Sequence, residues 1–272
     1  MPVKLGQNFL INKSIAKKII ASANLSENDL VLEIGPGKGI LTQELAKIAG
    51  KVVAVELDKE LCKFLRHSLR NKKNVEIIQS DILKLEIANI IPHPAFPAAQ
   101  SQEEKELRRD YKVVANLPYY ITSPIIRMFL ESELPPSEMI LMMQKEVAER
   151  IVTSPGKMNI LAVSVQYYAK PEILFYVGKE NFNPVPEVDS AVVKITYHQS
   201  PTTYDKREIK KFFRVVKAGF CAKRKTLVNN LANSFHLDKK IVDEKIKAVG
   251  LQPNVRAQEL GISEWKKLAK LF

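Results

Sequence analysis

The four residues Asn116-Leu-Pro-Tyr119 place a short amide and an aromatic ring where a strand-like run gives way to a helix-like run. Pro118 has no backbone N–H and restricts Leu117 to extended geometry, so the turn is stiff and presents carbonyl groups. Asn116 Oδ1 and the Leu117 carbonyl can then act as two acceptors, with Tyr119 as a stacking face. This arrangement suits an exocyclic amine on a flat heterocycle, although an ordinary strand-ending turn with a buried tyrosine fits the same residues.

A glycine-rich turn after an earlier apolar run predicts a ligand-binding loop. Gly35 and Gly37 belong to the spacing Gly-x-Gly-x-Gly, which permits tight turning and close approach of a ligand to the backbone. A dinucleotide fingerprint needs glycine at position 40, where this chain has Ile40. Pro36 also removes one N–H group that would cradle a pyrophosphate. The turn therefore disfavours a nicotinamide dinucleotide.

Two acidic residues end the next two predicted strands and are candidates to bind a nucleoside. Glu56 lies 21 residues after Gly35, where an acid accepts hydrogen bonds from ribose hydroxyls in a doubly wound fold. Asp81 ends the following strand, where a carboxylate can accept from an adenine amine. Together with the glycine turn, and without phosphate-binding residues, they favour S-adenosylmethionine. Taken singly, each acid is also an ordinary helix-capping residue.

The order of the predicted elements indicates where these residues meet. Strands are predicted over 30–35, 51–56, 75–81, 112–116, 139–143, 172–177 and 191–198, and helices over 13–24, 38–49, 58–71, 125–130, 145–151 and 160–168. Such alternation implies an α/β fold with a mostly parallel sheet covered on both faces. The candidate residues then share the edge formed by the carboxyl ends of the strands.

A polar linker at 200–204 predicts a domain boundary, with a catalytic domain over 1–199 and a small all-helical domain over 200–272. Helices are predicted over 206–219, 223–234, 238–248 and 263–271, with Gly250 and Gly261 as stops and Ser263 as an N-cap. Residues 200–272 hold 17 Lys and Arg against 7 Asp and Glu, a net charge of +10 out of +12 for the chain. This charge predicts a polyanion partner, although a merely soluble basic surface would look the same.

Composition bears against several other classes of protein. The chain is 46% hydrophobic and 26% charged, as expected of a soluble globular protein. No apolar run approaches 18 residues, and the N-terminal residues form no apolar signal core, so we expect a cytoplasmic protein without membrane spans. Cys62 and Cys221 are isolated in the sequence, which argues against a disulfide framework or a zinc site.

Several motifs in a fixed order make the chain similar to the ribosomal RNA adenine dimethyltransferases. They are Gly6-Gln-Asn-Phe-Leu10, Glu33-Ile-Gly-Pro-Gly37, Val55-Glu-Leu-Asp58, Asn116-Leu-Pro-Tyr119, Phe182-Asn-Pro-Val-Pro-Glu-Val-Asp-Ser190 and Gly219-Phe-Cys-Ala-Lys-Arg-Lys-Thr-Leu227. The last two resemble the housekeeping small-subunit branch more than the resistance-conferring large-subunit branch. The proline-rich and charged stretch 91–110 looks longer than the family usually carries, and we assign it no function.

The resemblance implies a Rossmann-like sheet of about seven strands, the last antiparallel, and dimethylation of two adjacent adenines near the 3′ end of small-subunit ribosomal RNA. It implies S-adenosylmethionine as cofactor, no metal, a pre-30S particle as partner and a monomeric protein. The cofactor contacts map onto Asn8, Leu10, Gly35, Gly37, Glu56, Asp81, Ile82 and Asn116. The catalytic residues map onto Asn116, Leu117, Pro118 and Tyr119, with Phe182 as a second aromatic near the target base.

The helical domain would then hold RNA through its phosphates. We expect the contacts to come from Lys210, Lys211, Arg214, Lys223, Arg224 and Lys225. A solvated helix face is the plainer interpretation of such a run of cations.

Three other functions fit parts of the same pattern. One is a dimethylase of large-subunit RNA, and another is an assembly factor that keeps the fold for RNA binding without methyl transfer. The intact Glu56, Asp81 and Asn116 turn argues against lost catalysis. A DNA adenine methylase is the weakest alternative, since its turn would more often be acidic or carry two prolines.

Overall fold

The computed structural model describes residues 8–91, 111–198 and 205–272. Gly6, most of the proline-rich stretch at 91–110 and the predicted linker at 200–204 lie outside the described residues. Within the described ranges, no helix is long and apolar enough to cross a membrane.

Nine strands are defined in the described part of the chain. Their bounds are β1 Phe9–Leu10, β2 Leu30–Ile34, β3 Lys51–Glu56, β4 Val75–Gln79, β5 Tyr111–Asn116, β6 Glu138–Gln144, β7 Ala169–Val177, β8 Phe182–Asn183 and β9 Ser190–Tyr197. Seven of them form one sheet in the order β4-β3-β2-β5-β6-β9-β7. Strands β2 to β6 run parallel, whereas β9 is antiparallel to β6. The predicted α/β fold with a mostly parallel sheet is confirmed.

Helices cover the sheet because their apolar positions recur at helical spacing. Their bounds are α1 Lys13–Ser22, α2 Ile40–Leu45, α3 Lys59–Ser68, α4 Ile87–Ile90, α5 Thr122–Leu130 and α6 Lys145–Ile151. Asn12 caps α1 by accepting from the backbone N–H groups of Ser14 and Ile15, and Asp58 caps α3 in the same way. Ile19 of α1 packs with Val31 and Val52 of the sheet in a fully buried cluster.

The two remaining strands form a small ribbon that joins distant parts of the chain. β1 pairs antiparallel with β8, so that Leu10 lies opposite Phe182 and Phe9 opposite Asn183. Asn12 Nδ2 also donates to Asn181 Oδ1 at 2.7 Å. The ribbon holds the first described residues beside the loop that precedes β9.

The chain divides into two compact units, and the division differs from the predicted one. The first comprises residues 1–148 and 170–198, and the second comprises 149–169 and 199–272. The segment 149–169, which the sequence analysis assigned to the first domain, groups with the second unit. The reason is aromatic packing: the ring of Tyr167 lies 4.2 Å from that of Phe212, measured between centroids.

The helices of the second unit are α7 Ile160–Tyr168, α8 Lys206–Gly219, α9 Leu227–Phe235, α10 Lys239–Ala248 and α11 Ile262–Leu271. The predicted helix over 223–234 is too long, because α9 begins at Leu227 and the residues before it form a turn. Gly261 is not a stop but the N-cap of α11, and its N–H donates to the Glu264 carboxylate at 3.1 Å. Ser263 is therefore inside the helix rather than at its cap.

Candidate active site

A cavity of about 200 Å³ opens at the carboxyl ends of β2 to β5. It is lined by all the predicted cofactor residues and by four of the five predicted catalytic ones. These are Asn8, Leu10, Gly35, Gly37, Glu56, Asp81, Ile82, Asn116, Leu117, Pro118 and Tyr119. Residues that are far apart in sequence meet here because parallel strands place their carboxyl ends on one edge of the sheet.

The glycine turn after β2 has the left-handed backbone that its composition predicts. Gly35 and Gly37 have φ values of +63° and +58°, which residues other than glycine rarely adopt. A Cβ on Gly37 would also lie only 2.9 Å from Cδ1 of Phe9. Glycine is needed at position 37 both for the turn and for contact with the N-terminal ribbon.

Glu56 is held in a fixed orientation by two backbone donors. Its side chain is buried at the end of β3. Oε2 accepts from the Gly37 N–H at 3.1 Å, and Oε1 accepts from the Asp58 N–H at 2.9 Å. Each carboxylate oxygen retains a further lone pair. Glu56 therefore bonds the glycine turn and also lines the cavity.

Glu33 is a cavity residue to which the sequence analysis gave no role. It is 1% exposed, and its Oε2 has no hydrogen-bond partner among the described residues. Burial raises the pKa of the carboxyl group to about 8, and the negative charge of Glu56 adds to the shift while Thr42 opposes it. A glutamate inside the apolar run Leu30-Val-Leu-Glu-Ile34 was the available signal.

The raised pKa predicts a stability that falls with pH. The pKa of folded Glu33 lies above its ordinary value of 4.5, so the folded chain keeps a proton that the unfolded chain releases. The free energy of unfolding should therefore fall by up to about 1.4 kcal/mol per pH unit as pH rises from about 5 towards 8. Glu33→Gln should remove this slope, as urea unfolding between pH 5 and 8 will show. The exposed Glu60→Gln serves as control, and an unchanged slope in Glu33→Gln would contradict the assignment.

Asp81 fits both of the roles that the sequence left open. Its Oδ1 accepts from the Leu83 N–H at 3.1 Å and so caps a short 3-10 turn, while the residue also lines the cavity. Leu57 and Leu83 line the same cavity and are 47% and 40% exposed. Exposed apolar side chains beside a carboxylate suit a flat ring with a polar edge.

The turn after β5 is fixed by hydrogen bonds that leave an acceptor available. Asn116 Nδ2 donates to the Asn8 carbonyl at 3.4 Å, a long contact that turns Oδ1 away from that carbonyl. The Leu117 N–H donates to the Met142 carbonyl at 3.0 Å, and the Ile121 N–H donates to the Pro118 carbonyl at 3.2 Å. The amide oxygen therefore projects from a backbone that neighbouring elements hold in place.

Two tyrosines follow this turn at the cavity. The hydroxyl group of Tyr119 lies 3.0 Å from Ser190 Oγ. Burial raises the pKa of Tyr119, and the hydrogen bond to Ser190 partly offsets it. Tyr120 is 53% exposed, and its pKa is raised by partial burial and by the charges of Glu56 and Asp81. No role was predicted for Tyr120 from the sequence, although it follows Tyr119 directly.

Phe182 does not line the cavity, contrary to the role predicted for it. Its side chain is 1% exposed and packs in the core with Leu10, Ile19 and Val177. Pairing of β8 with β1 decides this orientation, because alternate residues of a strand point to opposite sides. A ring buried in this way offers almost no surface for contact with a base.

The six predicted RNA-binding cations are all exposed, but they have different surroundings. Lys211 Nζ donates to the Lys270 carbonyl at 3.3 Å, and Arg214 donates to the Phe272 carbonyl at 3.2 Å. Both side chains thus bind carbonyls at the end of α11, a structural role for cations that the sequence did not reveal. Lys210 lies on α8, whereas 223–225 lie in the turn before α9.

Buried bonds hold that basic turn in shape. Asn230 Nδ2 donates to the carbonyls of Gly219 and Ala222 at 2.6 and 3.0 Å. The Lys225 N–H donates to the Ala222 carbonyl at 3.1 Å.

In the described ranges, no group of three His, Cys, Asp or Glu side chains is arranged to hold a metal ion.

Comparison with known proteins agrees with this geometry. A family model described as ribosomal RNA adenine dimethylase matches residues 2–272. The chain is 43% identical to a ribosomal RNA small subunit methyltransferase A of Dehalococcoides mccartyi, covering 97% of this chain and 86% of the relative. It is 41% identical to the protein of that name from Alkaliphilus metalliredigens, covering 98% and 90%.

Two solved structures are similar over nearly the whole length. A dimethyladenosine transferase from Plasmodium falciparum has a TM-score of 0.74 and 25% identity, covering 96% of this chain and 95% of that one. The 23S rRNA methyltransferase ErmE has a TM-score of 0.73 and 25% identity, covering 97% and 98%. With its cavity, its turn and its full-length family match, this chain belongs to the ribosomal RNA adenine dimethylase family.

Proposed function

We propose that the protein transfers methyl groups from S-adenosylmethionine to the N6 amines of two adjacent adenines in a 3′-terminal loop of small-subunit ribosomal RNA. The observation that carries this proposal is the Asn116 turn, which lines the cavity and whose amide nitrogen is bonded to the Asn8 carbonyl. The relatives named for the small subunit are 41–43% identical, against 25% for the 23S enzyme. This difference favours the small subunit over the large one.

The residues of the cavity fit the proposed cofactor. Glu56 provides acceptors for two hydroxyl groups, and the turn at Gly37 leaves no side chain in the way. Glu33 has a buried oxygen that no described residue bonds. Leu57 and Leu83 provide apolar surface for a purine, and Asp81 provides an acceptor at its edge. When bound, S-adenosylmethionine supplies an electrophilic methyl carbon, whose bond to sulfur breaks as the attacking lone pair forms its bond.

The Asn116 turn would make the adenine amine a better nucleophile by orienting it. The nitrogen lone pair is delocalised into the ring, so it attacks well only when the nitrogen is pyramidal. Asn116 Oδ1 and the Leu117 carbonyl would accept hydrogen bonds from the two N–H groups of the amine and so direct its lone pair. Catalysis would then come from positioning and electrostatics. Tyr119 would stack on the ring, which typically contributes ~1–3 kcal/mol. A strong base is unnecessary, because the proton becomes acidic once the nitrogen is cationic.

The second unit would hold the RNA through its basic turn. Lys223, Arg224 and Lys225 are exposed on a segment whose backbone is tied down by Asn230. Because this backbone is already held in place, binding of phosphates would order less of the chain. The proposal also includes a pre-30S particle as partner and a monomeric, cytoplasmic protein, as the family resemblance implies.

Replacing these three cations should weaken RNA binding in a salt-dependent way. We expect Lys223→Gln/Arg224→Gln/Lys225→Gln to lower affinity for small-subunit RNA about 10–50-fold near 0.1 M salt, and to reduce the slope of log K against log salt by about two. Filter binding over a salt series measures both quantities. The control Lys59→Gln/Lys72→Gln/Lys73→Gln removes the same charge from exposed positions of the first unit. If both triple variants lost the same RNA affinity, the effect would come from net charge and not from the basic turn.

One assay tests the proposed function against its alternatives. The protein is incubated with labelled S-adenosylmethionine and unmethylated small-subunit or large-subunit particles, and labelled nucleosides are identified and mapped. Dimethyladenosine at two adjacent small-subunit positions is the expected result. Label in large-subunit RNA would favour the other branch of the family. Binding to particles without any label would favour a non-catalytic assembly factor.

A further inference from the structure

We propose that Ser190 is a positioning residue that holds the Tyr119 ring in its stacking orientation. This inference rests on the proposed function, in which Tyr119 contacts the target base. The two hydroxyl oxygens lie 3.0 Å apart, within hydrogen-bond distance. Ser190 is 0% exposed, so water does not compete for its hydroxyl group. Stacking needs only a ring, and the hydroxyl group of Tyr119 is therefore free to serve as a tether.

Ser190 is suited to this role because its backbone is fixed on several sides. It is the first residue of β9 and lies opposite Gln144 in the antiparallel pair with β6. The preceding residue, Asp189, accepts from the Lys145 N–H through its carbonyl and from the Lys179 N–H through Oδ1, both at 3.0 Å. The anchor therefore belongs to the sheet and not to a loose loop.

Tyr119, in contrast, begins a single 3-10 turn, Tyr119–Ile121, whose side chains are only partly buried. Packing alone does not prevent rotation of a partly exposed ring between staggered rotamers about its first torsion. A hydrogen bond at the far end of the ring restricts that rotation. Ser190 would thus pre-organise the face on which the base stacks, and a misplaced ring would slow transfer.

The test is a double-mutant cycle on the full chain. Ser190→Ala and Tyr119→Phe should each lower the single-turnover rate of methylation about 5–20-fold at saturating cofactor, and the double variant should lose no more than either single one. The matched control is Tyr111→Phe, which removes another tyrosine hydroxyl group, bonded to the Leu134 carbonyl at 2.7 Å on the amino side of β5. It should lower thermal stability without lowering the rate.

A second measurement reports on the tether without using catalysis. In protein carrying 13C-labelled tyrosine rings, Ser190→Ala should broaden or shift the Tyr119 ring signals and leave those of Tyr111 unchanged. Unchanged Tyr119 signals, additive rate losses, or a normal rate in Ser190→Ala would each overturn the inference while leaving the proposed function intact. A wild-type protein that methylates no RNA would overturn both.

Discussion

Replacing Asn116 by alanine is expected to lower methyl transfer about 10²–10³-fold while leaving RNA affinity within about twofold, as for loss of one polar group that orients a reacting atom. The physical reason is that Oδ1 is the side-chain acceptor of the turn, with Nδ2 engaged by the Asn8 carbonyl. Without it, the proposed mechanism would leave the amine held by the Leu117 carbonyl alone. In the proposed function the second unit holds the RNA, so the RNA should bind almost as before.

Single-turnover methylation and filter binding on the same preparations separate the two effects. Asn74→Ala is the matched control, because Asn74 Nδ2 also donates to backbone carbonyls, those of Ala46 and Ala49, but away from the cavity. It should cost stability and leave the rate per folded molecule unchanged. If Asn116→Ala lost RNA affinity in proportion to its rate, Asn116 would be a binding residue and the proposed orientation of the amine would be wrong.

Glu56→Gln should weaken binding of the cofactor product S-adenosylhomocysteine about 30–100-fold, the range expected for a lost hydrogen bond to a charged group. The carboxylate accepts from two backbone N–H groups, of Gly37 and Asp58. An amide offers only one oxygen, so its NH₂ group would face one of these donors. The turn at Gly37 would loosen, and an acceptor for the ribose would be lost with it.

Calorimetric titration of S-adenosylhomocysteine measures this affinity directly, and thermal unfolding shows whether the variant remains folded. Glu60→Gln provides a control on α3, since its side chain is 77% exposed and pairs with Lys63. The Glu60→Gln protein should bind S-adenosylhomocysteine with the affinity of the wild type. Near-normal binding by a folded Glu56→Gln protein would mean that Glu56 shapes the turn without contacting the ligand.

Much of the site was predictable because its determinants are local in sequence. A glycine turn, a strand-ending acid or a stiff Asn-Leu-Pro-Tyr turn is defined by a few consecutive residues. Parallel strands then bring their carboxyl ends together whatever their exact packing. Gly35, Glu56, Asp81 and Asn116 therefore line one cavity, as expected.

Features that depend on long-range pairing escaped prediction. Phe182 is buried because β8 pairs with β1. This pairing places Phe182 opposite Leu10, which lies 172 residues earlier in the chain. The segment 149–169 groups with the second unit because the Tyr167 ring packs on Phe212. Lys211 and Arg214 resemble any exposed cations in sequence, yet they bind carbonyls near the end of the chain.

The sequence by itself determined the α/β fold, the family and the residues that end each strand at the cavity. Only the tertiary structure decided how the side chains at the cavity are oriented and which distant residues hold them. Tyr119 and Ser190, whose hydroxyl groups meet, are 71 positions apart. Glu33, whose Oε2 has no partner among the described residues, lies inside an apolar run. Local pattern specifies which element forms, because backbone preferences act over a few residues, whereas side-chain orientation depends on which distant elements become neighbours.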